Sequence, residues 1–125
     1  MAGTKGSKYY DIFLKHKVWL ENINGHDIVG DGKFELLLSI EELQSLTAAA
    51  EKLDISYRNA WGKLREIEQN LGFAIVDKSR GGKDGGKTTL NTEGKKLIEA
   101  YKEFLSEIDT LMHDSARKFW AKVNE

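Results

Sequence analysis

The chain has 125 residues, no cysteine, and 19 basic against 20 acidic side chains, for a net charge of −1. That length suits one domain with one ordinary core, and the missing cysteines exclude disulfide scaffolds, thiolate zinc sites and thiol catalysis. Near-neutrality excludes a uniformly basic, histone-like protein, and a hydrophobic fraction of 40% excludes a disordered acidic tail.

Residues 1–16 begin with Gly, Ser, Thr and Lys and carry a small aromatic patch at Tyr9, Tyr10 and Phe13, which predicts a loose arm ending in a short helix. Lys17–Ile23 is β-prone, Asn24-Gly25 is a favoured hairpin turn, and His26–Val29 returns, so a short hairpin is expected. Gly30-Asp31-Gly32 punctuates. Asp31 or a near neighbour is expected to cap a helix from about Lys33, with Phe34, Leu37, Leu38 and Leu43 facing inward. Ser45 caps the next helix, Leu46–Leu53, whose three consecutive alanines permit close approach of a neighbour. Asp54-Ile55 breaks it and Ser56 caps a third helix, Tyr57 to about Leu71. There Ala60, Trp61, Leu64, Ile67 and Leu71 recur at helical steps, which places Trp61 in the core, and Gly72 terminates the helix.

Phe73–Val76 reads as a strand and Thr88–Leu90 as its return. Between them, residues 81–87 hold four glycines, incompatible with helix or regular strand. Thr92 is expected to cap a last, long helix. Leu97, Tyr101, Phe104, Ile108 and Leu111 follow steps of four and three, a coiled-coil-like seam. Some 30 residues at 1.5 Å each reach roughly 45 Å, longer than a head of this size covers, so a second copy is the economical partner. No run of more than about four apolar residues occurs, so no membrane span is expected; the polar start does not resemble a signal peptide, and a cytoplasmic protein is expected.

Charge is unevenly placed. Residues 1–54 sum to −3, residues 55–98 to +4 and residues 99–125 to −2. A basic middle between acidic flanks fits a local nucleic-acid footprint, and equally a solvated surface. The local pattern separates the two. A small-faced helix, a tight Asp54-Ile55-Ser56 turn and a second helix opening with Arg58 and Asn59 form a helix-turn-helix. Arg can read guanine and Asn adenine in the major groove. Tyr57 and Ser56 can reach phosphate, where the helix N-terminus attracts anions. Lys63 and Arg65 follow on the same helix. The strand–glycine loop–strand beyond has the form of a wing, with Lys78, Arg80, Lys83 and Lys87 to meet phosphate and Asp84 opposing them.

The segment Gly81–Thr88 also satisfies the phosphate-loop expression G-x4-G-K-[S/T]. That motif needs a helix beginning at its Lys-Thr and a parallel sheet after it. Thr88–Leu90 reads as strand and fewer than 40 residues remain, so a nucleotide-hydrolysing enzyme is set aside. His16, His26 and His113 have no metal-ligand spacing.

Ser45-Leu46-Thr47, Ala49-Ala50, Leu53, Ile55-Ser56-Tyr57, Ala60-Trp61, Leu71-Gly72, the glycine wing, and Leu90-x-Thr92-x-Gly94 together resemble the DNA-binding domain of molybdate-responsive, ModE-type regulators. The winged heads of LysR-type regulators are similar, sharing the Ala-Ala, the Leu-Gly and the Leu, Thr and Gly at the start of the last helix. The resemblance covers about residues 17–112 and implies a dimeric winged helix-turn-helix transcription factor. Two departures stand out: Gln44 occupies a place where Gly often precedes the Ser, and the chain stops after the long helix, so oxyanion sensing does not carry over.

The expectation is a mainly α, α+β winged helix-turn-helix with an N-terminal extension (1–16), a DNA-binding domain (17–91) and a C-terminal dimerisation helix (92–125). DNA contacts are expected from Ser56, Tyr57, Arg58, Asn59, Lys63, Lys78, Arg80, Lys83 and Lys87, and dimer contacts from Leu97, Tyr101, Phe104, Ile108 and Leu111. Double-stranded DNA and a second copy are the expected partners, with no enzyme activity, cofactor, metal, membrane or small-molecule effector site. The alternative is a protein-interaction adaptor on the same scaffold.

Overall fold

A short hairpin opens the regular structure: β1 (Leu20–Glu21) pairs antiparallel with β2 (Asp27–Val29). The Asn-Gly pair does not form a two-residue turn. Asn22 organises a longer loop: its Oδ1 accepts from the N–H groups of Asn24 and His26 at 3.0 and 2.9 Å, while Gly25 takes the φ of +83° that closes it. An Asx-turn with a left-handed glycine is the physical reason the strands are shorter than their β-prone sequence. These are features of a computed structural model, which describes residues 5–79 and 86–125.

The helices follow as α1 (Asp31–Leu43), α2 (Leu46–Lys52), α3 (Tyr57–Leu71) and α4 (Thr92–Val123), with β3 (Val76–Lys78) and β4 (Thr88–Leu90) between α3 and α4. Two caps are those expected. Ser45 Oγ accepts from the Ala48 N–H at 3.1 Å and Ser56 Oγ from the Asn59 N–H at 3.0 Å; each satisfies one orphan donor of a helix start. Gly72 ends α3 at φ +89°, a conformation that costs glycine nothing.

Several expectations are corrected. The N-cap of α1 falls on Gly30, beside Asp31, so no side chain bonds from the cap position, and the helix starts at Asp31, two residues ahead of Lys33. The buried face of α1 is Leu36, Leu37 and Ile40, whereas Leu43 is exposed. Asn91, not Thr92, caps α4: its Oδ1 accepts from the Gly94 N–H at 2.8 Å. The first wing strand starts at Val76, and Phe73 lies exposed on the turn after Gly72. The arm forms turns through Ser7–Ile12 in place of a helix.

By contacts the chain divides into two units, Val18–Ala100 and Met1–Lys17 with Tyr101–Glu125. In the first, the core joins Leu36, Leu37 and Ile40 to Leu46, Ala49 and Ala50 of α2 and to Ala60, Leu64 and Ile67 of α3. Val29, Ile75, Leu90 and Ile98 are buried with them. Each fully buried aliphatic side chain contributes about 1.5–3 kcal/mol by leaving water. The fully covered Ala49 and Ala60 let α2 and α3 pack closely across the Asp54–Ser56 turn. In the second unit the arm returns to the end of α4, where the Tyr9 ring lies 5.7 Å from that of Trp120, tilted by 56°, and Phe119 meets the same indole edge-on at 5.0 Å.

Candidate nucleic-acid interface

Helix α3 has two opposed stripes. Ala60, Leu64 and Ile67 are buried, and Leu71 continues them half-buried. Half a turn away, Arg58, Gly62, Arg65 and Gln69 are exposed at the same four- and three-residue steps. The outward stripe contains no acid. The two carboxylates of α3 are engaged elsewhere: Glu66 pairs with Lys33 at 3.0 Å, and Glu68 Oε2 accepts from the backbone N–H groups of Ile75 and Val76 at 2.7 and 3.4 Å. Helix α3 thus turns its arginines outward while its negative charges serve the scaffold.

The wing is held at its root by side chains. Glu68 receives the strand start, and Asn91 Nδ2 donates to the Ala74 carbonyl at 2.9 Å while the Asn91 N–H bonds the Ile75 carbonyl at 2.9 Å. Strands β3 and β4 pair antiparallel from Val76↔Leu90 to Lys78↔Thr88. Beyond them the Ser79 N–H donates to the Lys87 carbonyl at 3.0 Å, and the Lys87 N–H to Ser79 Oγ at 3.2 Å. The Thr88 N–H reaches the Gln44 carbonyl at 3.2 Å, tying the wing to the α1–α2 turn. Thr88 therefore lies in a strand, and the next helix starts four residues later, which is not the geometry of a phosphate loop.

The expected site residues fall out as follows. Ser56, Tyr57, Arg58 and Asn59 are all exposed at the start of α3. Ser56 Oγ is already an acceptor in the cap, leaving its hydroxyl proton to donate outward. Lys63 is half-buried on a different flank; its Nζ lies 3.9 Å from where a Cβ on Gly32 would stand. Lys78 and Lys87 are exposed on the wing, while Arg80 and Lys83 lie outside the described residues. Trp61 is not a core residue. It is half-buried, and its ring carries the Lys78 ammonium at 4.4 Å and the Arg65 guanidinium at 5.2 Å, so one indole links α3 to the wing.

Arg65 and Gly62 are members of the outward stripe that the sequence reading left out of its site. The signal was there: 58, 62, 65 and 69 run parallel to the buried series. The seam on α4 is mixed: Leu97 and Ile108 are half-buried, Tyr101 is buried, and Phe104 and Leu111 are 47% and 61% exposed. His16 and His113 line one open pocket with Asp109 and Asp114. Among the described residues no group of three or more His, Cys, Asp or Glu could hold a metal, and no helix is long and apolar enough to cross a membrane.

Residues 32–95 match the family described as bacterial regulatory helix-turn-helix protein, lysR family. The chain is 36% identical over 101 residues to the molybdenum-pterin-binding protein MopB of Rhodobacter capsulatus, covering 81% of this chain and 37% of that protein. It is 33% identical over 89 residues to the DNA-binding transcriptional dual regulator ModE of Escherichia coli K12, covering 67% of this chain and 34% of that one. The chain thus spans about a third of the length of these curated relatives. Among solved structures, the CbnR DBD–DNA complex superposes with a TM-score of 0.55 at 21% identity, over 70% of this chain and 93% of that chain, a likeness of fold.

Proposed function

The chain belongs to the lysR family of bacterial regulatory helix-turn-helix proteins, and from that premise we propose that it is a cytoplasmic, non-enzymatic transcriptional regulator that binds duplex DNA as a homodimer. The observation that carries this is the outward stripe of α3, cationic and free of acid, beginning at a capped helix N-terminus and flanked by the wing lysines. Arg58 and Asn59 read base edges from the first turn of α3. Ser56, Tyr57 and the wing cations Lys78 and Lys87 meet phosphate, with Arg80 and Lys83 added from the sequence. Lys63 holds the flank toward α1 and reaches the backbone of the duplex from there. The exposed Phe104, Leu111 and Phe119 of α4, the last of them 43% exposed, are covered by the second copy.

Selection of bound duplexes from a random pool tests this. A two-fold sequence is expected, with half-sites about 34 Å or a multiple apart. Arg58→Ala is expected to cost roughly 1–3 kcal/mol of affinity and to relax one base position. No enrichment, together with no mobility shift on any duplex at low salt, refutes DNA binding and leaves the adaptor reading.

A further inference from the structure

Each glycine of a folded chain needs a reason, because glycine loosens whatever element contains it. For three of them in this protein the reason is plain. Gly25 and Gly72 sit at φ of +83° and +89°, where other residues are strained. Gly94 lies where a Cβ would stand 2.2 Å from the Ile75 carbonyl oxygen. Gly62 has neither reason. It sits in the interior of α3, and a Cβ built there meets nothing within 4 Å. It therefore weakens the helix without serving the packing of this chain.

Its position supplies the reason. Gly62 is one turn after Arg58 and one turn before Arg65, in the middle of the exposed stripe. An α-helix with its side chains is about 10–12 Å across, close to the roughly 12 Å width of the major groove. The bulk at the centre of the inward-facing stripe decides how deep the helix sits. Arg58 and Arg65 are seven residues apart, about 10.5 Å along the axis, or about three base-pair steps. Both are long enough to reach base edges or phosphates around a bare centre.

We propose that Gly62 is a specificity-determining position: its missing side chain lets the α3 backbone lie directly against the base-pair edges between the contacts of Arg58 and Arg65. The inference rests on the DNA-binding reading. It assigns the central base pairs of each half-site to close steric fit, which selects against a group projecting into the groove there.

The full chain carrying Gly62→Ala and, separately, Gly62→Leu is compared with wild type in three measurements: thermal melting, affinity for the sequence selected by the wild type, and selection from a random duplex pool. Gly62→Ala is expected to melt higher than wild type, because the substitution strengthens the helix at an open site. It is expected to bind roughly tenfold more weakly, the loss of about one good base contact, and Gly62→Leu more weakly still. The bases selected at the half-site centre are expected to change while those read by Arg58 persist. A variant that melts higher and binds the wild-type sequence equally well overturns the proposal alone. Wild-type protein that binds no duplex overturns the DNA-binding reading and this proposal with it.

Discussion

Gly94→Ala separates two effects that a helical glycine usually confounds. Gly94 lies in the first turn of α4, buried against the chain entering the wing, and an added Cβ would stand 2.2 Å from the Ile75 oxygen and 3.2 Å from its carbonyl carbon. Ordinary contact begins near 3.4 Å, so the two backbones must part by about 1.2 Å. The same oxygen accepts the Asn91 N–H at 2.9 Å, and that separation breaks the bond, at a cost of about 1 kcal/mol. Overpacking adds about 1–3 kcal/mol, and the better helix propensity of alanine returns at most about 1 kcal/mol. The net expectation is a loss of about 1–4 kcal/mol. At about 4 °C per kcal/mol for a chain of this size, the melting temperature falls by about 4–16 °C. Urea unfolding followed by circular dichroism gives the free energy directly, and Gly62→Ala, with open space at its Cβ, is the control for propensity. If Gly94→Ala unfolds at the same urea concentration as wild type or higher, the close approach of α4 to Ile75 is wrong.

Three further outcomes follow from the geometry. Ser56→Ala removes the α3 cap and should cost about 1 kcal/mol in unfolding experiments, whereas Ser56→Asp keeps a capping oxygen, preserving stability while repelling phosphate and weakening DNA binding; equal DNA affinity for Ser56→Asp and wild type contradicts a phosphate role. Gln44 holds φ +53° at the end of α1, so Gln44→Gly should stabilise by about 0.5–1 kcal/mol in urea titrations, and a loss of stability would show that its side chain matters more than its backbone. Leu111→Asp, placed on the exposed seam of α4, should halve the mass seen by sedimentation, and an unchanged mass moves the dimer contact elsewhere.

Much of the helix-turn-helix was legible because its signals are local. The Ser45 and Ser56 caps, the Gly72 terminus and the Ala60–Leu64–Ile67 stripe each depend on residues within four positions. The face of α1 was not legible, since Leu36-Leu37-Leu38 are all apolar and only the packing partner chooses among them. Local sequence does not separate Asn91 from Thr92, since both are good caps and adjacent; the bond from Asn91 Nδ2 to the Ala74 carbonyl, seventeen residues away, favours the asparagine. Trp61 shares the spacing of the buried stripe but stands at its edge, and its two cations come from the next helical turn and from β3, the second invisible to any local pattern. Arg58, Asn59, Lys78 and Lys87 are legible by residue type alone, and all four are exposed. Gly62 carries no signal of residue type, because its relevant property is bulk that is missing.

The root of the wing has a consequence for how such a protein can diversify. Glu68 and Asn91 both grip the chain entering the wing, at Ala74–Val76, one reaching from α3 and the other from the start of α4. The base of the wing is therefore set by side chains of the flanking helices and not by the strand pair alone. Because Glu68 and Trp61 both belong to α3 and both touch the wing, a substitution in that helix carries into the wing, so the two elements diversify together and not one at a time.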